Sequence, residues 1–314
     1  MLGRKIRRLF FNMKELKKSM FSKRARMWLG LIAALSLISL ASACGGGGTT
    51  GGNDNTGGDK TGKAYTSKGD EGSITGKVSY TGAAPEAKKI DTSADAACTS
   101  KSPNLTVEEW VVKDGKLANT YVYIKDGTLA DGTKIGDYSF DTPTATATLD
   151  QNGCHYKPHV LGVMVNQPIN ITNSDPTTHN IHFTQGNNPD WNQSQANGAA
   201  ALSHKLARAE IMVPVKCNQH PWMKSYVGVT KHPFFAVTAE DGSFTIKGVP
   251  PGKYTVVAWH EGGAKGTEKP MEVTVPAKGA ATADFSFGAN ALGQPSSLEM
   301  LPAVEIPMPM VMKH

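Results

Sequence analysis

The chain reads as all-β, organised as β-sandwiches. Between Ser73 and Phe287 long helical periodicities are scarce, while short runs of alternating apolar and polar residues recur. Those runs are bounded by Gly, Pro, Asn and Asp, the residues that close turns between strands. A span of roughly 215 residues is enough for two such sandwiches.

The amino terminus precedes the folded part. Arg4 to Arg26 is strongly basic, Trp28 to Leu40 is apolar, and Leu40-Ala-Ser-Ala-Cys44 follows. This is the layout of an export signal whose apolar stretch is too short to span a bilayer comfortably. Met13 and Met20 are alternative starts within it. The end of the segment resembles a bacterial lipobox, which implies a signal peptide over residues 1–43, cleavage before Cys44 and lipidation of its thiol. Ordinary cleavage after Ala43 would instead leave a soluble periplasmic protein. Gly45 stands where an inner-membrane retention Asp would, so an outer-membrane anchor is favoured. Residues 44–72 form a Gly-, Thr- and Asn-rich stretch without a core pattern. As a flexible tether of about 28 residues it would reach ~30 Å.

Charge has to be recounted once the signal is removed. The chain carries a formal +6, but residues 1–27 hold ten Lys/Arg and one Glu. The remainder is therefore acidic by about three charges, and the basic character argues for no nucleic-acid partner.

The strands are expected in order at Ile74 to Tyr80, Thr120 to Lys125, Thr144 to Leu149, Val160 to Val165, Ile169 to Thr172, Glu210 to Lys216, Val227 to Thr230 and Phe244 to Ile246. Residues 186–206 are polar and read as a surface excursion with a short helix around Ala199, in which Trp191 folds back on the sheet or, with His204, meets a partner. The stretch Ala239-Glu-Asp-Gly242, then Val249-Pro-Pro-Gly252, supplies two tight turns. With Phe244-Thr-Ile246 and the alternating Tyr254, Val256 and Ala258, it resembles carboxypeptidase regulatory-like domains of transthyretin-like topology. Such a domain begins with a Gly-x-Val strand, and the candidate is Gly76-Lys-Val78, far upstream. The expected layout therefore places a second sandwich (residues 140–232) inside the first, whose pieces are residues 73–139 and 233–288. A simple tandem is the competing layout.

The chemistry concentrates in two short motifs, Cys217-Asn-Gln-His220-Pro-Trp-Met223 and Thr178-His179-Asn180-Ile181-His182-Phe183. A thiolate, two imidazoles and a thioether are the donors of a type 1 copper site. Thiolate and thioether suit Cu(I), imidazole suits either oxidation state, and a compromise site exchanges an electron with little rearrangement. Zinc would favour a second Cys or His over a thioether.

With Tyr156-Lys-Pro158 and Asn173, these motifs resemble the cupredoxins, amicyanins most closely, over residues 140–232. The resemblance implies a Greek-key β-sandwich holding one copper ion by Cys217, His179 and His220, with Met223 as weak axial ligand. It also implies that Asn180 braces the loop beside the thiolate and that the ring edge of His220 is the route for electrons. The Pro221-Trp222 rim would then be a small apolar docking patch, or Trp222 packs against the neighbouring loop. His182 faces the other way on a period-2 strand and stays outside the ligand set.

Cys98 and Cys154 remain, in an exported domain where thiols oxidise, and a disulfide between them is expected. The alternative is a second metal site of Cys154, His155 and His159. The tail, residues 289–314, carries Met300, Met308, Met310, Met312 and His314 among prolines, and is either a Cu(I)-binding or an inert terminus. The function expected is a lipid-anchored, non-enzymatic carrier of single electrons between redox proteins. Copper storage or delivery, and a non-redox surface module binding carbohydrate or protein, are the other classes.

Overall fold

Alternation in the sequence becomes two face-packed sandwiches. The computed structural model describes residues 62–262 and 266–288. The export signal, Cys44 and the Met-rich tail lie outside the described residues.

The first sandwich pairs Phe235–Val237, Tyr121–Leu129, Gly252–His260 and Thr267–Val275 in one sheet. Its other sheet is centred on Gly72–Thr81, which runs antiparallel to Ser243–Val249 and parallel to Ala280–Thr282 and Phe285–Gly288. Ile74, Val78, Ile246, Tyr254, Val256 and Phe287 point inward from alternate positions and form its core. Gly76 has no room for a side chain: a Cβ there would sit 1.9 Å from the Ala283 carbonyl oxygen. The Gly-x-Val strand at residue 76 thus pairs with a strand some 170 residues later, and Tyr121–Leu129 pairs with Gly252–His260.

Between those pieces the chain builds the second sandwich. One sheet is ordered Leu202–His204, Ile169–Asn173, Ala147–Gln151, Tyr156–Lys157. The other runs Trp191–Gln195, His179–Phe183, Glu210–Lys216, Lys224–Thr230, Val160–Met164. Leu149, Ile169, Ile171, Ile181, Phe183, Val213, Val215, Val227 and Val229 fill the space between the sheets. Cys217 and Met223 belong to the same buried cluster.

A third apolar cluster, with Tyr121, Tyr123, Val160, Val257 and Trp259, joins the two sandwiches. Its fit depends on two facing glycines, Gly162 and Gly228, paired across parallel strands. A Cβ on Gly228 would lie 2.4 Å from the Tyr121 ring, and one on Gly162 would lie 2.5 Å from the Phe235 ring.

Residues 186–206 differ from the sequence expectation. Helix is absent around Ala199; the segment supplies the edge strands Trp191–Gln195 and Leu202–His204. Trp191 stacks on His204 at 4.2 Å and lies against Phe183, so its ring is folded onto the sheet. The polar run Asn-Gln-Ser fits an edge strand because only alternate residues of such a strand face the core.

Candidate metal centre

His179 opens the strand His179–Phe183, and Cys217 ends the neighbouring strand Glu210–Lys216 by one residue. The loop to Lys224 is closed by two backbone bonds, Cys217 N–H to the Met223 carbonyl (3.2 Å) and Met223 N–H to the His220 carbonyl (2.9 Å). This tight turn brings His220 back beside Cys217. The Nδ1 atoms of His179 and His220 lie 2.9 Å apart, and the Cys217 Sγ lies 3.6 Å from the His220 Nδ1. These three donors form a group able to hold a metal ion. Met223 is fully buried in the same cluster, with no exposed surface.

Asn180 braces the loop. Its backbone N–H donates to the Cys217 sulfur (3.5 Å), and its side-chain oxygen accepts from the Asn218 N–H (2.7 Å). Tyr156 donates its hydroxyl to the Asn180 carbonyl. His182 sits on the opposite face, bonded to Asn218 and Asp190.

The outer nitrogens of both imidazoles meet carboxylates. His179 Nε2 lies 3.0 Å from Asp175 Oδ2, and His220 Nε2 lies 3.0 Å from Asp95 Oδ2. Asp175 also accepts from the Gly153 and Cys154 backbone N–H groups and pairs with Lys101 at 2.9 Å. Burial opposes its charge, but these partners hold its carboxyl far below the usual range. For His179, burial alone would lower the pKa; Asp175 and Cys217 outweigh it and raise the imidazole to about 9. For Cys217, burial pulls upward, but His179, the Asn180 N–H and His220 bring the thiol down to about 6.

These donors fit copper on their own chemistry. All three donor atoms lie within 4.8 Å of one another, close enough for metal–ligand bonds of about 2 Å to meet at one ion. The set is nitrogen and sulfur, held by carboxylates that fix each ring through its far nitrogen.

The His220 ring is 5 % exposed, and its far nitrogen faces Asp95. Trp222 packs at the core margin: its indole lies 5.1 Å from the His220 ring, and Nε1 donates to the Cys154 carbonyl at 3.2 Å. Cys98 and Cys154 form a disulfide, both sulfurs buried, so Cys154 is no metal ligand. His155 and His159 engage Glu108, at 3.0 and 3.4 Å, and His159 also meets Glu261.

Sequence reasoning missed Asp95, Asp175 and the helix Ala96–Lys101. Asp95 caps that helix, accepting from the Ala97 and Cys98 N–H groups. Asp followed by Ala-Ala-Cys-Thr is an N-cap signal, but nothing local in the sequence ties it to a histidine 125 residues later.

The family model of polysaccharide lyase family 4, domain II, matches residues 195–283. No curated protein matches the chain. Among solved structures, a copper-containing nitrite reductase from Thermus scotoductus is similar over 28 % of this chain at 17 % identity, with a TM-score of 0.26. The match spans only 23 % of that enzyme chain. A purple cupredoxin from Nitrosopumilus maritimus is matched over 99 % of its length and 27 % of this chain, at 22 % identity and a TM-score of 0.24. Amicyanin from Paracoccus versutus is matched over 96 % of its length and 34 % of this chain, at 16 % identity and a TM-score of 0.25.

Proposed function

We propose that His179, Cys217, His220 and Met223 hold one copper ion and that the protein carries single electrons between redox proteins. The observation that carries this reading is the convergence of two imidazole Nδ1 atoms and a cysteine sulfur, all on buried residues. Copper in such a set supplies a one-electron couple, since sulfur favours Cu(I) and imidazole accepts both states. The chain's own contribution is a scaffold that fixes the donors: Asn180 orients the sulfur, Asp175 and Asp95 orient the rings, and the two sheets exclude water. In this reading the protein is no enzyme. It is exported, anchored through a lipid on Cys44 to a bacterial membrane, the outer one favoured, and meets its donor and acceptor within reach of the tether.

The test is voltammetry on copper-loaded protein of measured metal content. One copper per chain with a reversible one-electron wave supports the reading; bound copper without such a wave contradicts it.

Two observations favour other readings. The covered edge of His220 suits a protein that stores or delivers copper, and ready transfer to an acceptor protein would establish that. The family-model match over residues 195–283 suits a non-redox module binding carbohydrate or protein; copper-independent binding of a polysaccharide would establish that one.

A further inference from the structure

Both carboxylates behind the centre are tied to one short helix that belongs to neither sheet of the copper-site sandwich. Asp95 caps Ala96–Lys101 with Oδ1, at 2.8 Å from the Ala97 nitrogen and 3.2 Å from the Cys98 nitrogen. Its Oδ2 takes the Thr177 hydroxyl at 2.8 Å and faces His220 Nε2 at 3.0 Å. Both oxygens are thereby fixed, and so is the ring they face. At the other end of the helix Lys101 reaches Asp175 at 2.9 Å and the Ser174 carbonyl at 2.7 Å. Asp175 is the residue that holds His179. Between the two ends, Cys98 is bonded to Cys154, and Ser102 donates to the Gly153 carbonyl at 2.9 Å.

Local helix propensity does not account for this arrangement. The helix has six residues, too few to be stable alone. It is held by the disulfide and by polar contacts that converge on the two histidines' carboxylate partners.

We propose that Asp95 is a positioning residue for the metal centre, and that the disulfide-held helix it caps is a door closing the His220 edge to outside reactants. The inference rests on the copper reading for its purpose, but its geometry stands without the metal. With the Nε2 proton of His220 donated to Asp95, the Nδ1 lone pair is directed at His179 and Cys217, as a ligand requires. With the door shut, approach from outside is left to the Trp222 side. There the indole, half-buried, touches the His220 ring and lines a cleft with Ile90, Val107, Glu108 and His155.

The experiment compares parent protein, Asp95→Asn, Asp95→Ala and a Cys98→Ala/Cys154→Ala double variant. Asn caps a helix as well as Asp does, so Asp95→Asn keeps the helix start if the alanine variant misfolds. The first readout is metal-free: nitrogen NMR of the histidine rings, with the hydrogen-exchange rate of His220 Nε2–H. A single Nε2–H tautomer with slow exchange is expected in the parent. Exchange at least tenfold faster, with mixed tautomers, is expected in Asp95→Ala and in the double variant. In Asp95→Asn, whose oxygen keeps the cap, the amide NH2 faces His220 Nε2, so the tautomer should shift toward Nδ1–H, and a parent-like Nε2–H ring there overturns the positioning role. The second readout is the rate at which EDTA extracts Cu(II), expected to rise at least tenfold in the same two variants.

Parent-like exchange and extraction in a folded Asp95→Ala overturn the inference while leaving the copper reading intact. Changed His220 exchange in a protein that takes up no copper sinks the copper reading and leaves the positioning role standing. If Asp95→Ala does not fold, parent-like values in the double variant overturn the door.

Discussion

Removing the Cys98–Cys154 bridge perturbs stability and the metal centre together, and its size can be worked out. The bond closes a loop of 56 residues. The loop-entropy relation gives a loss of about 14 cal/mol/K from the unfolded chain, or ~4 kcal/mol at 25 °C. For a folded body of this size each kcal/mol moves the melting temperature by roughly 2–4 °C, so the double alanine variant should melt about 8–16 °C lower. Urea unfolding followed by tryptophan fluorescence is the assay. Trp222, one of five tryptophans in the chain, donates to the Cys154 carbonyl, so the part of the emission change lost in Trp222→Phe reports the region. A loss below about 1 kcal/mol would refute the reasoning, because it would mean that the segment carrying Asp95 does not depend on the bridge.

Four further outcomes are expected. Gly228→Ala drives a methyl against the Tyr121 ring, and overpacking of this kind costs about 1–3 kcal/mol; a melting curve unchanged from the parent would remove that contact from the account. For His159, burial lowers the pKa, but Glu108 and Glu261 outweigh it and raise the ring to about 9; for Glu108, burial raises the pKa, but His155 and His159 outweigh it and leave the carboxyl at about 2. A raised histidine stabilises fully below its unfolded value near 6.5 and loses that contribution as pH climbs through 9. The lowered Glu108 contributes above about 4.5 and loses its share as pH falls toward 2. His159→Gln should therefore remove a stability step on the order of 3 kcal/mol between about pH 6.5 and 9; an unchanged pH profile of urea midpoints would contradict it. Met223→Leu should keep the metal and raise the reduction potential, whereas Cys217→Ser should abolish the intense visible absorption; a serine variant with the parent spectrum would exclude Cys217 as a ligand.

What the sequence made legible was local chemistry and alternating burial. Cys217, His220 and Met223 lie within one loop, so their spacing is their geometry, and His179 heads a strand whose alternation, Ile181 and Phe183 inward, is plain. The Gly-x-Val strand around residue 76 was legible because its partner, Ser243–Val249, carries its own turn signals. Trp191–Gln195 was not, since an edge strand written Trp-Asn-Gln-Ser-Gln lacks apolar alternation. Asp95 was invisible as a partner of His220 because a single carboxylate meeting a ring across 125 residues leaves no trace in spacing. The cover over the His220 ring was invisible for the same reason, since the loop from Cys217 to Met223 carries no sign of the segment that Asp95 belongs to.

Adding Cu(II) to the metal-free, disulfide-intact protein, with optical and paramagnetic resonance spectra taken together, tests the account most directly. One equivalent should bind and produce an intense visible band from sulfur-to-copper charge transfer, with a narrow parallel hyperfine splitting. A colourless protein with an ordinary tetragonal copper signal would contradict it.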